Sequence, residues 1–115
     1  MNKYDFSKQI AVITGGCNGI GAAVVKKLIN SGARVCIWDM NIEDCEEEIN
    51  AQSRDICLKI HTNVSDFDSV TAALAKTKSI FGNVNVLINS AGIAGPTYSL
   101  ADYPLDQWRK VQAVN

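Results

Sequence analysis

The stretch TGGCNGIG, residues 14–21, stands between two segments whose apolar residues follow different periods. Ahead of it, IAVIT (10–14) is a short run rich in β-branched residues, the pattern of a buried strand. Behind it, Ile20, Val24 and Leu28 recur at helical spacing until Ser31-Gly32 interrupts them. Gly15, Gly19 and Gly21 are spaced G-x3-G-x-G within the turn. Glycine there permits positive φ and lets backbone approach a ligand closely. A helix that starts at such a loop points free N–H groups and a partial positive charge at the loop's contents, which suits a pyrophosphate. The spacing is neither G-x-G-x-x-G nor a P-loop, since no Lys-Ser/Thr follows Gly21.

The same alternation continues along the chain. ARVCIW (33–38) reads as a second buried strand. Asn41, with Asp44 three residues on, predicts the N-cap of a helix that turns Ile42, Cys45 and Ile49 inward and Glu43, Glu46, Glu47 and Glu48 to solvent. DICLKIHT (55–62) is a third strand. Ser65 with Asp68 reads as a capping box for a helix with Val70, Leu74, Thr77 and Ile80-Phe81 inward and Gly82 as its stop. VNVLIN (84–89) is a fourth strand, and a last helix is expected from Pro104, capped by Asp102, with Leu105, Trp108 and Val111 on one face. Near-continuous apolar strands alternating with helices imply a parallel sheet covered on both faces. The expected fold is α/β: one Rossmann-like, doubly wound domain over residues 1–115, its four strands in the order 3-2-1-4.

Composition narrows the function. A net charge of −1 gives no electrostatic reason to expect nucleic acid or an anionic membrane as partner. No apolar run approaches the ~20 residues of a spanning helix, and MNKYDFSKQI (1–10) lacks a secretory apolar stretch. A cytoplasmic setting is therefore expected. Cys17, Cys36, Cys45 and Cys57 form no CxxC pair, so no metal site is expected, and all four read as reduced thiols acting as small core residues.

Asp39 stands at the end of the second strand, 20 residues beyond Gly19. In this topology a carboxylate there accepts hydrogen bonds from the adenosine ribose hydroxyls. It would repel a 2′-phosphate, and no Arg or Lys in the loop or just after Asp39 offsets that, so NAD is favoured over NADP. A cap for the following helix is the other reading of Asp39, and the two are compatible.

Four motifs now stand in order, and together the chain resembles a classical short-chain dehydrogenase/reductase. TGGCNGIG resembles the family's T-G-x3-G-x-G loop; Asn63-Val64 lies where the family usually has Asp-Val. NSAG (89–92) resembles its Asn-Asn-Ala-Gly stretch, and the terminal Val-Asn resembles the segment that holds its catalytic Asn. The resemblance implies that Gly15, Asn18, Gly19, Ile20 and Gly21 shape the pyrophosphate and nicotinamide side of a cofactor site. It implies that Asp39 holds the adenine ribose with Met40 beside the adenine, and that Asn63 and Val64 line the adenine pocket, Asn63 accepting from the adenine amino group through its amide oxygen. Asn89, Ala91 and Gly92 would lie near the cofactor ribose.

For Asn115 the resemblance implies a catalytic role, holding a water in a proton relay to a Lys. The remaining members of that set, a Ser and a Tyr-x3-Lys pair, come later in the family's chains. The Tyr-x3-Lys within these residues, YDFSK (4–8), precedes the first strand, at the edge of the sheet opposite the ligand-binding ends. The expectation is the amino-terminal half of an NAD-dependent oxidoreductase that interconverts a secondary alcohol and a ketone, a homodimer or homotetramer when complete. These 115 residues alone would be inactive; a non-catalytic dinucleotide-binding module is the competing reading. The loop AGPTYSLADYP (94–104) would line one side of the substrate pocket, with Tyr98 a candidate contact.

Overall fold

The structure, a computed structural model, describes residues 6–92 and 105–114. Four strands, β1 (Ile10–Thr14), β2 (Arg34–Asp39), β3 (Cys57–His61) and β4 (Val86–Asn89), form one sheet in the order β3-β2-β1-β4. Every pairing is parallel. The helices are α1 (Gly19–Asn30), α2 (Glu47–Asn50), α3 (Phe67–Phe81) and α4 (Leu105–Val114). This is the doubly wound order expected from the sequence.

The period of two along each strand divides the core into two layers. Ala11, Ile13, Val35, Ile37 and Cys57 face α1 and pack with Ala22, Val25, Leu28 and Ile49. Val12, Cys36, Trp38, Leu58 and Ile60 face the other way and pack with Ala73 and Phe81 of α3. Ile13, Val35 and Ile37 are fully buried, each such side chain contributing roughly 1.5–3 kcal/mol of transfer free energy.

Register sets the site. Thr14 pairs with Trp38 on one side and Asn89 on the other, so the carboxyl ends of β1, β2 and β4 lie level. The chain runs outward from β1 to β2 and β3, then returns across to β4. That reversal opens a crevice at the carboxyl ends, where ligands bind in such sheets.

Three details differ from the sequence reading. The phase of α1 is rotated: Gly21, Ala22, Val25 and Leu28 are buried, while Ile20 is 81% exposed. Gly21 packs directly on the Gly15 carbonyl, where no Cβ would fit, and with that face inward Ile20 points outward. The second helix is one turn, Glu47–Asn50, rather than a helix from Asn41. The Glu46 N–H donates to the Cys17 carbonyl at 3.0 Å, so residues 41–46 are committed to the glycine loop instead of to a helical ladder. Ile42, Cys45 and Ile49 still point inward.

In α3 the cap is Asp66, whose carboxylate accepts from the Asp68 N–H at 3.0 Å. Ser65 is held instead by Asn63. Its buried face is Ala73, Thr77 and Phe81, with Val70 packed beside them, whereas Leu74 and Ile80 are partly exposed. Asp102, the cap proposed for the last helix, lies outside the described residues.

Candidate functional site

A cleft of about 300 Å³ opens at the level carboxyl ends. Gly15, Asn18, Trp38, Asp39, Met40, Thr62, Val64, Ser90, Ala91, Gly92 and Val114 line it. These residues come from the turn after β1, the end of β2, the segment after β3, the turn after β4 and the last residue of α4.

The glycine loop is built for close approach. Gly15 has φ +68°, and a Cβ there would stand 2.9 Å from both Cα and N of Ala91, so the loop and the NSAG turn touch through backbone. Gly19 has φ +61° and opens α1; a Cβ there would meet nothing within 4 Å. The side chain of Asn18, the N-cap, makes no capping hydrogen bond, and the first turn carries no acid. Among the described residues, the amino end of α1 thus keeps its partial positive charge without a side-chain cap or a first-turn acid.

Asp39 sits opposite. Its Oδ2 accepts the Cys17 N–H at 3.3 Å and its Oδ1 accepts the Asn41 N–H at 3.1 Å. The carboxylate therefore bridges the glycine loop and the segment after β2 at the cleft wall. The helix that follows begins only at Glu47, with Glu46 at its N-cap, so the Asn41 N–H bond holds a local turn and Asp39 caps no helix. Asp39 is the one carboxylate among the lining residues.

Thr14 was not singled out in the sequence, yet it fixes the far wall. Its hydroxyl oxygen accepts from the N–H groups of Ser90 and Ala91, both at 3.1 Å, and the hydroxyl donates to Asn89 Oδ1 at 3.3 Å. Asn89 thus stands behind the cleft rather than in its lining. Trp38 was also missed. It is 6% exposed, and its indole N–H donates to Thr77 Oγ1 at 3.1 Å in the core. Thr77 also meets Cys36 Sγ at 3.3 Å. Burial pushes the Cys36 thiol up, against the opposing pull of that Thr77 hydroxyl.

The remaining candidates divide. Met40 and Val64 line the cleft, while Ile20 faces a separate apolar groove with Phe6, Val24 and Leu28. Asn63 is not among the lining residues; its amide oxygen accepts from both N–H and Oγ of Ser65. Val114 brings the end of α4 to the cleft. Asn115 lies outside the described residues, as do Tyr98 and the 94–104 loop.

The cysteines depart from the expectation of four free thiols. Cys17, in the glycine loop, and Cys45 form a disulfide across 28 residues of sequence, with Cα atoms 4.3 Å apart. Cys36 and Cys57 are free and buried. The sequence carried no signal for the pair, because what joins them is the packing of the 41–46 segment on the loop. Among the described residues, no group of three His, Cys, Asp or Glu side chains gathers around a point where a metal could bind, and no helix is long and apolar enough to cross a membrane.

A family model described as short chain dehydrogenase matches residues 9–115. The chain belongs to the short-chain dehydrogenase family. As a short-chain dehydrogenase, it is 36% identical over 109 residues to the cis-4-hydroxycyclohexanecarboxylate dehydrogenase of Sinomonas cyclohexanicum, covering 92% of this chain and 43% of that one. It is 32% identical over 113 residues to the 2-dehydro-3-deoxy-L-rhamnonate dehydrogenase (NAD(+)) of Sphingomonas sp. strain SKA58, covering 96% and 43%. A solved structure from Novosphingobium aromaticivorans shares the fold at a TM-score of 0.86 and 24% identity, over 96% of this chain and 41% of that one. This short-chain dehydrogenase chain therefore spans less than half the length of these relatives.

Proposed function

We propose that this chain is the dinucleotide-binding part of an NAD-dependent oxidoreductase that interconverts a secondary alcohol and a ketone. The observation that carries the reading is the Asp39 carboxylate at the cleft wall, tied to the glycine loop through Cys17 N–H. The residues fit a dinucleotide. The uncapped amino end of α1 and the open space at Gly19 suit the pyrophosphate, and Asp39 has acceptor capacity for ribose hydroxyls. Met40, Thr62 and Val64 supply the wall on which an adenine would lie, and Ala91 and Gly92 stand where the nicotinamide ribose would pass.

Gly15 and Asn18 line the cleft and would meet the phosphates together with the open backbone at Gly19, while Gly21 lets the loop close on Gly15 and Ile20 lines a separate apolar groove. Asn63 contributes by fixing the turn that presents Val64, through its bonds to Ser65. A nicotinamide ring supplies hydride acceptance and donation when bound. Asn115 is proposed to hold a water in the proton path of the complete enzyme. The Tyr-x3-Lys at 4–8 comes before β1 in sequence, where the family resemblance has no catalytic pair, so these 115 residues by themselves are expected to bind dinucleotide without turnover.

The names of the relatives in Sinomonas and Sphingomonas support a small hydroxy compound as substrate class. We further propose a cytoplasmic homodimer or homotetramer. The test is NADH formation by the complete protein with a panel of cyclic and acyclic secondary alcohols. Turnover with NAD supports the reading; NAD binding with no turnover on any alcohol or ketone favours a binding module instead.

A further inference from the structure

We propose that the Cys17–Cys45 pair is a redox switch on the affinity of the dinucleotide cleft, a proposal that rests on the dinucleotide reading above. Cys17 is the residue between Gly16 and Asn18 of the phosphate-facing loop, and three of its groups are engaged. Its N–H goes to Asp39 Oδ2, its carbonyl accepts the Glu46 N–H, and its sulfur is bonded to Cys45. The pair thus joins the loop to the segment that follows Asp39.

The two sides of the bond differ in how far they can yield. On the loop side, a Cβ at Gly16 would stand 3.0 Å from Ile37 Cγ1 and 3.1 Å from Val25 Cγ2, so the backbone there is pressed against the core. Cys17 itself is fully buried. On the other side, residues 40–46 form no helix or strand, and Met40 is 56% exposed. Two free thiols separate to van der Waals contact, roughly 3.5–4 Å for heavy atoms. When the bond opens, the 40–46 segment is the side that moves. That segment carries Met40 of the cleft wall and the Asn41 N–H that steadies Asp39 Oδ1. Reduction therefore loosens the adenosine side, and the oxidised form is the preorganised one.

The chemistry balances with a low-molecular-weight disulfide such as glutathione disulfide as oxidant. The Cys45 thiolate attacks it, releasing one thiol; the Cys17 thiolate then attacks the Cys45 sulfur of the mixed disulfide, releasing the second. The two protein thiols lose two electrons and two protons, and the oxidant becomes two thiols. Cys45 is the entry point because it is 8% exposed whereas Cys17 is sealed. Cys57 packs in the same layer, but burial pushes its thiol up to about 11, so it competes poorly as a thiolate. A cytosolic disulfide is most often of this reversible kind.

The test equilibrates the purified protein in glutathione buffers of graded poise, traps free thiols by alkylation and identifies the Cys17–Cys45 linked peptide by mass spectrometry. NADH is then titrated into the fully oxidised and fully reduced forms. The expected result is a reversible link and NADH binding roughly three- to tenfold tighter when oxidised, the equivalent of ordering one side chain. Cys45→Ser should bind like the reduced protein at every poise, and Cys57→Ser should leave the switch intact. The wild-type comparison stands alone if Cys45→Ser fails to fold. Absence of a linked peptide at any poise overturns the proposal, as does a link that leaves NADH affinity unchanged. A link with no NADH binding in either form removes the dinucleotide reading and the coupling with it.

Discussion

Asp39 Oδ2 accepts the backbone N–H of Cys17 at 3.3 Å, and through that one bond the acid at the end of β2 is held against the glycine loop after β1. The carboxylate is therefore positioned before any ligand arrives. Because charge-assisted hydrogen bonds contribute about 1.5–3 kcal/mol, Asp39→Asn should weaken NAD binding by roughly ten- to a hundredfold. The same change removes the charge that opposes a 2′-phosphate, so NADP should gain relative to NAD; titration of both cofactors into the variant measures it.

Gly15 and Gly19 both have positive φ but differ in surroundings. Gly15→Ala would force a Cβ to 2.9 Å from Ala91 backbone atoms, and overpacking of that kind costs about 1–3 kcal/mol beyond the backbone strain. Gly19→Ala meets open space and should cost only about 1 kcal/mol of stability, from its left-handed φ alone. Its methyl group would stand in the open space proposed for the phosphates, so its larger effect should be on dinucleotide affinity. Urea unfolding and NADH titration of the two variants separate these effects.

Thr14 holds the NSAG turn by accepting two backbone N–H groups, and it is 3% exposed. Thr14→Val leaves the Ala91 N–H without that acceptor, while the Ser90 N–H keeps its bond to the Thr14 carbonyl at 3.1 Å. The change should destabilise the protein by about 1–3 kcal/mol, while Thr14→Ser should retain most of the stability. Thermal denaturation of the pair tests whether the hydroxyl or the methyl group matters.

Thr77 is the matching hub in the core. Thr77→Val removes the acceptor of the Trp38 indole N–H and should cost about 1–3 kcal/mol, with a change in tryptophan emission. Since Trp38 also lines the cleft, NADH affinity should fall in parallel.

Burial raises the Cys57 thiol from its ordinary 9.0 to about 11. The folded state therefore keeps a proton that the unfolded chain gives up sooner. The stability this contributes is full below about pH 9 and is lost as pH rises through about 11. Cys57→Ala should flatten that alkaline loss in denaturation curves recorded across the range.

The sheet was legible because its strands are continuous apolar runs, a pattern that buried parallel strands require and that IAVIT and ARVCIW display openly. Helix phase was less so. Ile20, Val24 and Leu28 form a good helical stripe, and Leu28 and Val24 do pack on the core, but the Gly21–Gly15 contact, a matter of backbone approach rather than hydropathy, leaves Ile20 exposed. The glycine loop and Asp39 were readable from residue type and spacing. Thr14, Trp38 and the Cys17–Cys45 bond were not, since each acts through partners 24 to 77 residues away, or, for the disulfide, 28. Asn63 shows the converse: its type suggested a ligand contact, while a local turn with Ser65 takes up its amide oxygen.

The central claim is that Asp39 makes this cleft a site for NAD. Its most direct test is calorimetric titration of the wild-type protein with NAD and with NADP under one buffer condition. NAD should bind at least about tenfold more tightly, the loss expected when a carboxylate faces a 2′-phosphate with no Arg or Lys among the described residues that line the cleft. Equal or tighter binding of NADP would contradict the claim.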